Sequence, residues 1–138
     1  MYLTKNEVQK ANSYKFPTSE RLKSKKIIQE LFGAGEVFFL HPFRAVVKRS
    51  QTPTTQPPQV LFSVGKKYAK SAVKRNYIRR RMKEAYRLQK ETLLSNNQQQ
   101  YFVIYIAFIW IAKEKAKYSY IQSKMNSLLS EIYAKTSK

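Results

Sequence analysis

Ser63-Val64-Gly65-Lys66-Lys67, followed by Lys74-Arg75-Asn76-Tyr77-Ile78-Arg79-Arg80-Arg81-Met82-Lys83-Glu84-Ala85-Tyr86-Arg87, is the stretch that decides how this chain is read. Residues 60–64 form a short apolar run that stops at Gly65, as a strand does before a turn. From about residue 70 to 90 the pattern becomes helical. With residues placed 100° apart, Tyr77, Ile78, Met82, Ala85 and Leu88 gather on one side. Arg75, Asn76, Arg79, Arg80, Lys83 and Arg87 gather on the other. Arg81 falls inside the apolar arc, either snorkelling along the edge of a core or serving as a second outward cation. A stripe of one sign repels itself when unbound, and a polyanion such as RNA or DNA is the partner that relieves it.

Upstream, Ile27, Ile28, Leu31 and Phe32 share one helical face, which predicts a first helix over 19–33. Thr18-Ser19-Glu20 offers its cap, and Gly33 or Gly35 its stop. Residues 37–40 and 43–48 are rich in β-formers and are broken at Pro42. In the second run Phe43, Ala45 and Val47 alternate with Arg44, Val46 and Lys48. Residues 51–59 carry Pro53, Pro57 and Pro58 and read as a loop, so the strands it joins are expected to pair antiparallel. Downstream, a polar connector over 95–100 leads to the apolar run 101–112, which fits a strand covered on both faces. Ile121, Met125, Leu128, Leu129 and Ile132 then mark an amphipathic helix over about 117–134. The order predicts an α+β domain with helices packed on a small sheet. Residues 1–15 read as an extension, 16–134 as the domain and 135–138 as a tail.

Composition narrows the chemistry. The chain has 138 residues with 27 Lys and Arg against 8 acids, a formal charge of +19, and 43% hydrophobic residues. That apolar share separates it from a disordered basic tail. There is no Cys, all the acids are Glu, and His41 is the single histidine. Thiolate chemistry and cysteine-held zinc are excluded, and a two-metal carboxylate site is hard to build without Asp. We therefore expect no catalytic residue and no metal site in the protein itself. The most apolar run is about half of the ~20 residues that a membrane-spanning helix needs, so no membrane partner is expected and a cytoplasmic location is.

The stretch Ser63-Val64-Gly65-Lys66-Lys67, with Arg75-Asn76-Tyr77-Ile78-Arg79-Arg80, resembles the signature of the protein subunit of bacterial ribonuclease P. Arg21-Leu22 and the Leu31-Phe32-Gly33 helix end fit the same pattern, and the resemblance spans about 16–134. Two positions depart from it. Tyr77 stands where the family has its second signature arginine, and Arg81 where an apolar residue is usual.

The resemblance implies a four-stranded sheet with three helices and a left-handed βαβ crossover. It implies an RNA-binding, non-catalytic subunit of an endoribonuclease whose RNA subunit binds Mg²⁺ and removes the 5′ leader from precursor tRNA. On that reading Lys66, Lys67, Lys74, Arg75, Asn76, Arg79, Arg80, Lys83 and Arg87 bind the RNA subunit, and Arg21 is a further candidate. Ile28, Phe32, Arg44 and Val46 occupy the leader-binding positions. The partners are ribonuclease P RNA and the precursor leader, with one protein monomer joining one RNA. A basic ribosomal protein or assembly factor is the alternative. A protein-only endonuclease and a non-specific DNA binder explain less of the signature.

Overall fold

The computed structural model describes residues 16–95, 99–114 and 116–137; the extension assigned to residues 1–15 lies outside them. Helix α1 (Lys25–Ala34) leads into a hairpin of β1 (Glu36–Leu40) and β2 (Phe43–Thr54). Strand β3 (Gln59–Val64), helix α2 (Ala72–Gln89), strand β4 (Tyr101–Trp110) and helix α3 (Tyr118–Thr136) complete the chain. The strands form one sheet in the order β1-β2-β4-β3. This is an α+β architecture of four strands and three helices.

Two expectations about connectivity change. Strand β3 does not pair with β2: β4 inserts between them, antiparallel to β2 and parallel to β3. The parallel pair is joined through α2, a crossover that leaves the β2–β3 loop to bridge past a whole strand. The loop is also shorter than its prolines imply. β2 runs on to Thr54, its pairing with β4 shifting register after Lys48 and again after Arg49. Pro53 is tolerated there because such irregular pairing does not demand its missing N–H.

The first helix begins later than expected. Thr18–Glu20 is only a 3₁₀ turn, and Ser24 is the cap, its hydroxyl accepting from the Ile27 N–H at 3.3 Å. Ser71 caps α2 in the same way, accepting from Lys74 N–H at 3.1 Å. At the far end, α3 extends to Thr136, into the stretch read as a tail.

Cross-strand register sorts the sheet into two faces. Phe38, Phe43, Ala45, Val47, Val60, Ile106, Phe108 and Trp110 point toward α2 and α3. Met82, Ala85 and Tyr86 of α2 meet them, with Ile121, Met125, Leu128, Leu129 and Ile132 of α3. Tyr77 and Leu88 stay at the surface, and Tyr86 takes the core place expected of them. The physical reason is that α2 is flanked by the sheet and α3, so the buried arc is set by both neighbours rather than by apolar spacing alone.

The opposite face carries a smaller core. Leu22, Leu31, Val46 and Ala107 are buried there, with Ile27, Ile28, Leu61, Tyr105 and Ile109 packed around them. A Cβ at Gly35 would stand 2.5 Å from Val46 Cγ1 and 2.6 Å from the Leu31 carbonyl oxygen. Only glycine lets the chain leave α1 so close to β2. Because α1 covers part of this face, the outer portion over β1 and β2 is left open by the described residues.

A buried ion pair ties the entry segment to the body. Lys90 Nζ lies 3.0 Å from Glu20 Oε1, with the side chains only 4% and 9% exposed. Phe16 packs edge-on against Phe62 and Tyr86 beside it. Leu22 N–H donates to the Val60 carbonyl at 3.0 Å, and Arg21 bridges in parallel to Val60. Residues 16–23 are thereby strapped along β3.

Candidate nucleic-acid interface

The strap creates a composite groove of about 430 Å³ between itself, β3 and α2. Arg21 and Lys23 line it from the strap, and Asn76, Arg79, Arg80 and Lys83 from α2. Phe16, Leu22, Val60, Leu61 and Phe62 form its apolar floor, and no carboxylate is among the described lining residues. Arg79 donates to the Asn76 side-chain oxygen, which pins the guanidinium along the helix. Arg21 and Lys83 both sit over the Phe16 ring, at 5.8 and 5.7 Å from its centroid. Partial burial, and then the nearby Arg21 charge, hold the Lys83 ammonium below its ordinary pKa. An incoming phosphate reverses the second effect, so the groove is electrostatically prepared for an anion.

The remaining stripe residues are placed elsewhere. Arg75 Nη1 donates to the carbonyls of Ala69 (3.0 Å) and Lys70 (2.8 Å), bracing the turn before α2. Arg87 pairs with Glu84 at 2.6 Å, and that contact holds the Glu84 carboxyl below its usual range. Lys66 is exposed just beyond β3. Lys67 and Lys74 line a separate recess on the other flank of α2. One helical stripe in the sequence thus divides into a groove group, a bracing arginine and a paired arginine.

On the open side of the sheet, Val46 is fully buried under α1 and its side chain cannot meet a ligand. Ile28 is half-buried in the same small core, while Phe32 is 43% exposed. Arg44 is half-buried, and its Nε is a shielded donor without a hydrogen-bond partner among the described residues. Its guanidinium lies 5.9 Å from the ring centroid of Phe39, which is 65% exposed. Phe39 is opposite Arg44 in the β1–β2 register. It supplies the exposed aromatic that the sequence reading did not assign. The signal was available in the turn at Pro42: pairing Leu40 with Phe43 puts Phe39 across from Arg44. Lys23 was also missed, because only the strap brings it to α2.

Among the described residues no group of three or more His, Cys, Asp or Glu side chains could hold a metal ion. His41 Nδ1 lies 2.9 Å from the Tyr120 hydroxyl, an aromatic neighbour rather than a ligand set. No described helix is long and apolar enough to cross a membrane.

Fold and site together define a small basic α+β protein with a cation-lined groove of the kind that receives a nucleic-acid backbone. The family model for ribonuclease P matches residues 16–133. A ribonuclease P protein component of Porphyromonas gingivalis is 33% identical over 114 residues, covering 83% of each chain. One from Chlorobaculum tepidum is 41% identical over 81 residues, covering 56% of this chain and 52% of its own. The chain belongs to the ribonuclease P protein family and has the role of the protein component of that enzyme in tRNA processing. The folds agree. The Staphylococcus aureus ribonuclease P protein superposes with a TM-score of 0.63 at 22% identity, covering 85% of this chain and 96% of its own. The Thermotoga maritima protein gives 0.64 at 19% identity, covering 81% and 96%.

Proposed function

We propose that this chain binds the RNA subunit of ribonuclease P through the groove of Arg21, Lys23, Asn76, Arg79, Arg80 and Lys83, and holds the 5′ leader of precursor tRNA on the open sheet face. The observation that carries the reading is the groove itself, in which cations from two separate segments converge with no carboxylate among its described lining residues. Each phosphate they neutralise releases counterions, which favours a nucleic-acid strand over any neutral partner. The chemistry of leader removal belongs to the RNA and the Mg²⁺ it holds. The protein screens repulsion between two polyanions and so strengthens precursor binding. It works in the cytoplasm as a monomer joining one RNA.

The test is reconstitution. Adding the chain to bacterial ribonuclease P RNA at low Mg²⁺ is expected to stimulate 5′-leader removal strongly, with no cleavage by the protein alone. Tight RNA binding without stimulation would move the reading toward a ribosomal or assembly role.

For the leader, Phe39 and Arg44 are the working pair. Phe39 offers an exposed ring for a base, and the unpaired Arg44 Nε offers a donor for a phosphate oxygen. Phe39→Ala is expected to weaken binding of leader-bearing precursor by about 5- to 150-fold, the equivalent of one stacked base. Mature tRNA should be held as before, since Phe39 contributes to neither core. Equal losses for both RNAs would remove Phe39 from the leader site.

A further inference from the structure

The recess on the other flank of α2 is not used by the groove or by the open sheet face. Its volume is about 620 Å³, within the range of small-ligand sites. Lys67, Lys74 and Lys113 stand around it, Tyr77 and Arg81 form one wall, and Trp110 lies at its base. Glu114 is the carboxylate among its described lining residues. Tyr77 is 51% exposed and Val73 78% exposed, so at this end of α2 two large side chains with apolar surface stand in water beside the cations.

Arg81 explains how the ring is held. Its guanidinium lies 4.8 Å from the Tyr77 centroid and 5.6 Å from that of Tyr118. Lodged between the two rings, it resolves the misfit in the apolar arc: it is neither core nor free cation. The cation sits against one face of Tyr77, and 51% of the residue remains exposed to a ligand.

We propose that this recess binds one unpaired nucleotide of an RNA, its base stacked on the open face of Tyr77 and its phosphate held by Lys74 or Lys113. The proposal rests on the RNA-docking reading above and adds a second contact of different chemistry. An aromatic platform ringed by cations suits a flat base carrying a phosphate, because every base has a π-face and the charge follows its backbone. A duplex does not fit, since its bases are stacked within the helix. Tyr77 offers a stacking surface in place of a charge and so favours a single-stranded position.

The test uses the full chain and ribonuclease P RNA, with dissociation constants measured over a series of salt concentrations. Tyr77→Ala is expected to weaken binding by about 5- to 150-fold without changing the salt slope, since stacking releases no counterions. Tyr77→Phe keeps the platform and should bind within about twofold of the parent. Chemical probing of the RNA should show one unpaired nucleotide losing protection in Tyr77→Ala. Unchanged affinity of Tyr77→Ala, a Phe variant as weak as the Ala variant, or lost protection at a base-paired position would each overturn the proposal. The Arg79→Glu/Arg80→Glu variant separates the two readings. If it too binds as the parent does, the docking surface itself is wrong; if it weakens while Tyr77→Ala does not, only the stacking site fails.

Discussion

Arg79→Glu/Arg80→Glu is expected to lower affinity for ribonuclease P RNA by about 10²- to 10³-fold at near-physiological salt and to flatten the salt dependence by about 1.4 to 1.8 units of slope. The slope follows from counting, since each phosphate contact contributes about 0.7 to 0.9. The loss in affinity exceeds that of simple removal because the new carboxylates repel the backbone they face. Arg79 and Arg80 share the groove with Arg21, Lys23 and Lys83, so the reversal also cancels part of the field of these neighbours. Arg87→Glu provides the contrast. Its partner Glu84 already offsets the charge at that end of α2, so the expected change is several-fold at most. Binding isotherms over a salt series decide the matter. Equal losses for the two variants would mean that the whole stripe docks uniformly and that the groove has no special place.

Glu20→Ala is the substitution with the largest expected effect on stability. It removes the carboxylate that lies 3.0 Å from the Lys90 ammonium, a side chain only 4% exposed. Breaking a buried pair by removing one partner costs about 3–5 kcal/mol, several times an exposed pair. For a domain of this size that is about 10–17 °C in Tm. The double replacement Glu20→Leu/Lys90→Met removes both charges and should return most of the loss, because the desolvation cost disappears with the pair. The strap also positions Arg21 and Lys23. Glu20→Ala should therefore reduce the salt slope of RNA binding at temperatures where the protein remains folded. A Tm within about 2 °C of the parent would show that the pair holds nothing.

The pair also explains a limit of reading the chain linearly. Glu20 and Lys90 lie far apart in sequence, and each looks like an ordinary surface charge. Only the packing of Phe16 on Phe62 and Tyr86, with β3 beneath, takes them out of water together. The same packing makes a groove out of Arg21 and Lys23 on one segment and Arg79, Arg80 and Lys83 on another.

What the amino-acid order determined by itself is local and periodic. The alternation in 43–48, the 3.6-residue spacing of α3, the stop at Gly65 and the one-signed arc of α2 follow from backbone geometry and charge, which need no partner to be read. They were enough for an α+β class and the expectation of a polyanionic partner; the family came from the resemblance of residues 63–67 and 75–80 to its signature. The tertiary structure decided what depends on neighbours. It inserted β4 between β2 and β3, buried Val46 under α1, put Tyr86 rather than Tyr77 in the core, and assigned Arg75 to bracing a turn. It also set Phe39 beside Arg44 and lodged Arg81 between two rings. Strand order and burial are properties of surfaces brought together across long stretches of chain, and a side chain's spacing along its own element does not encode which surface will cover it.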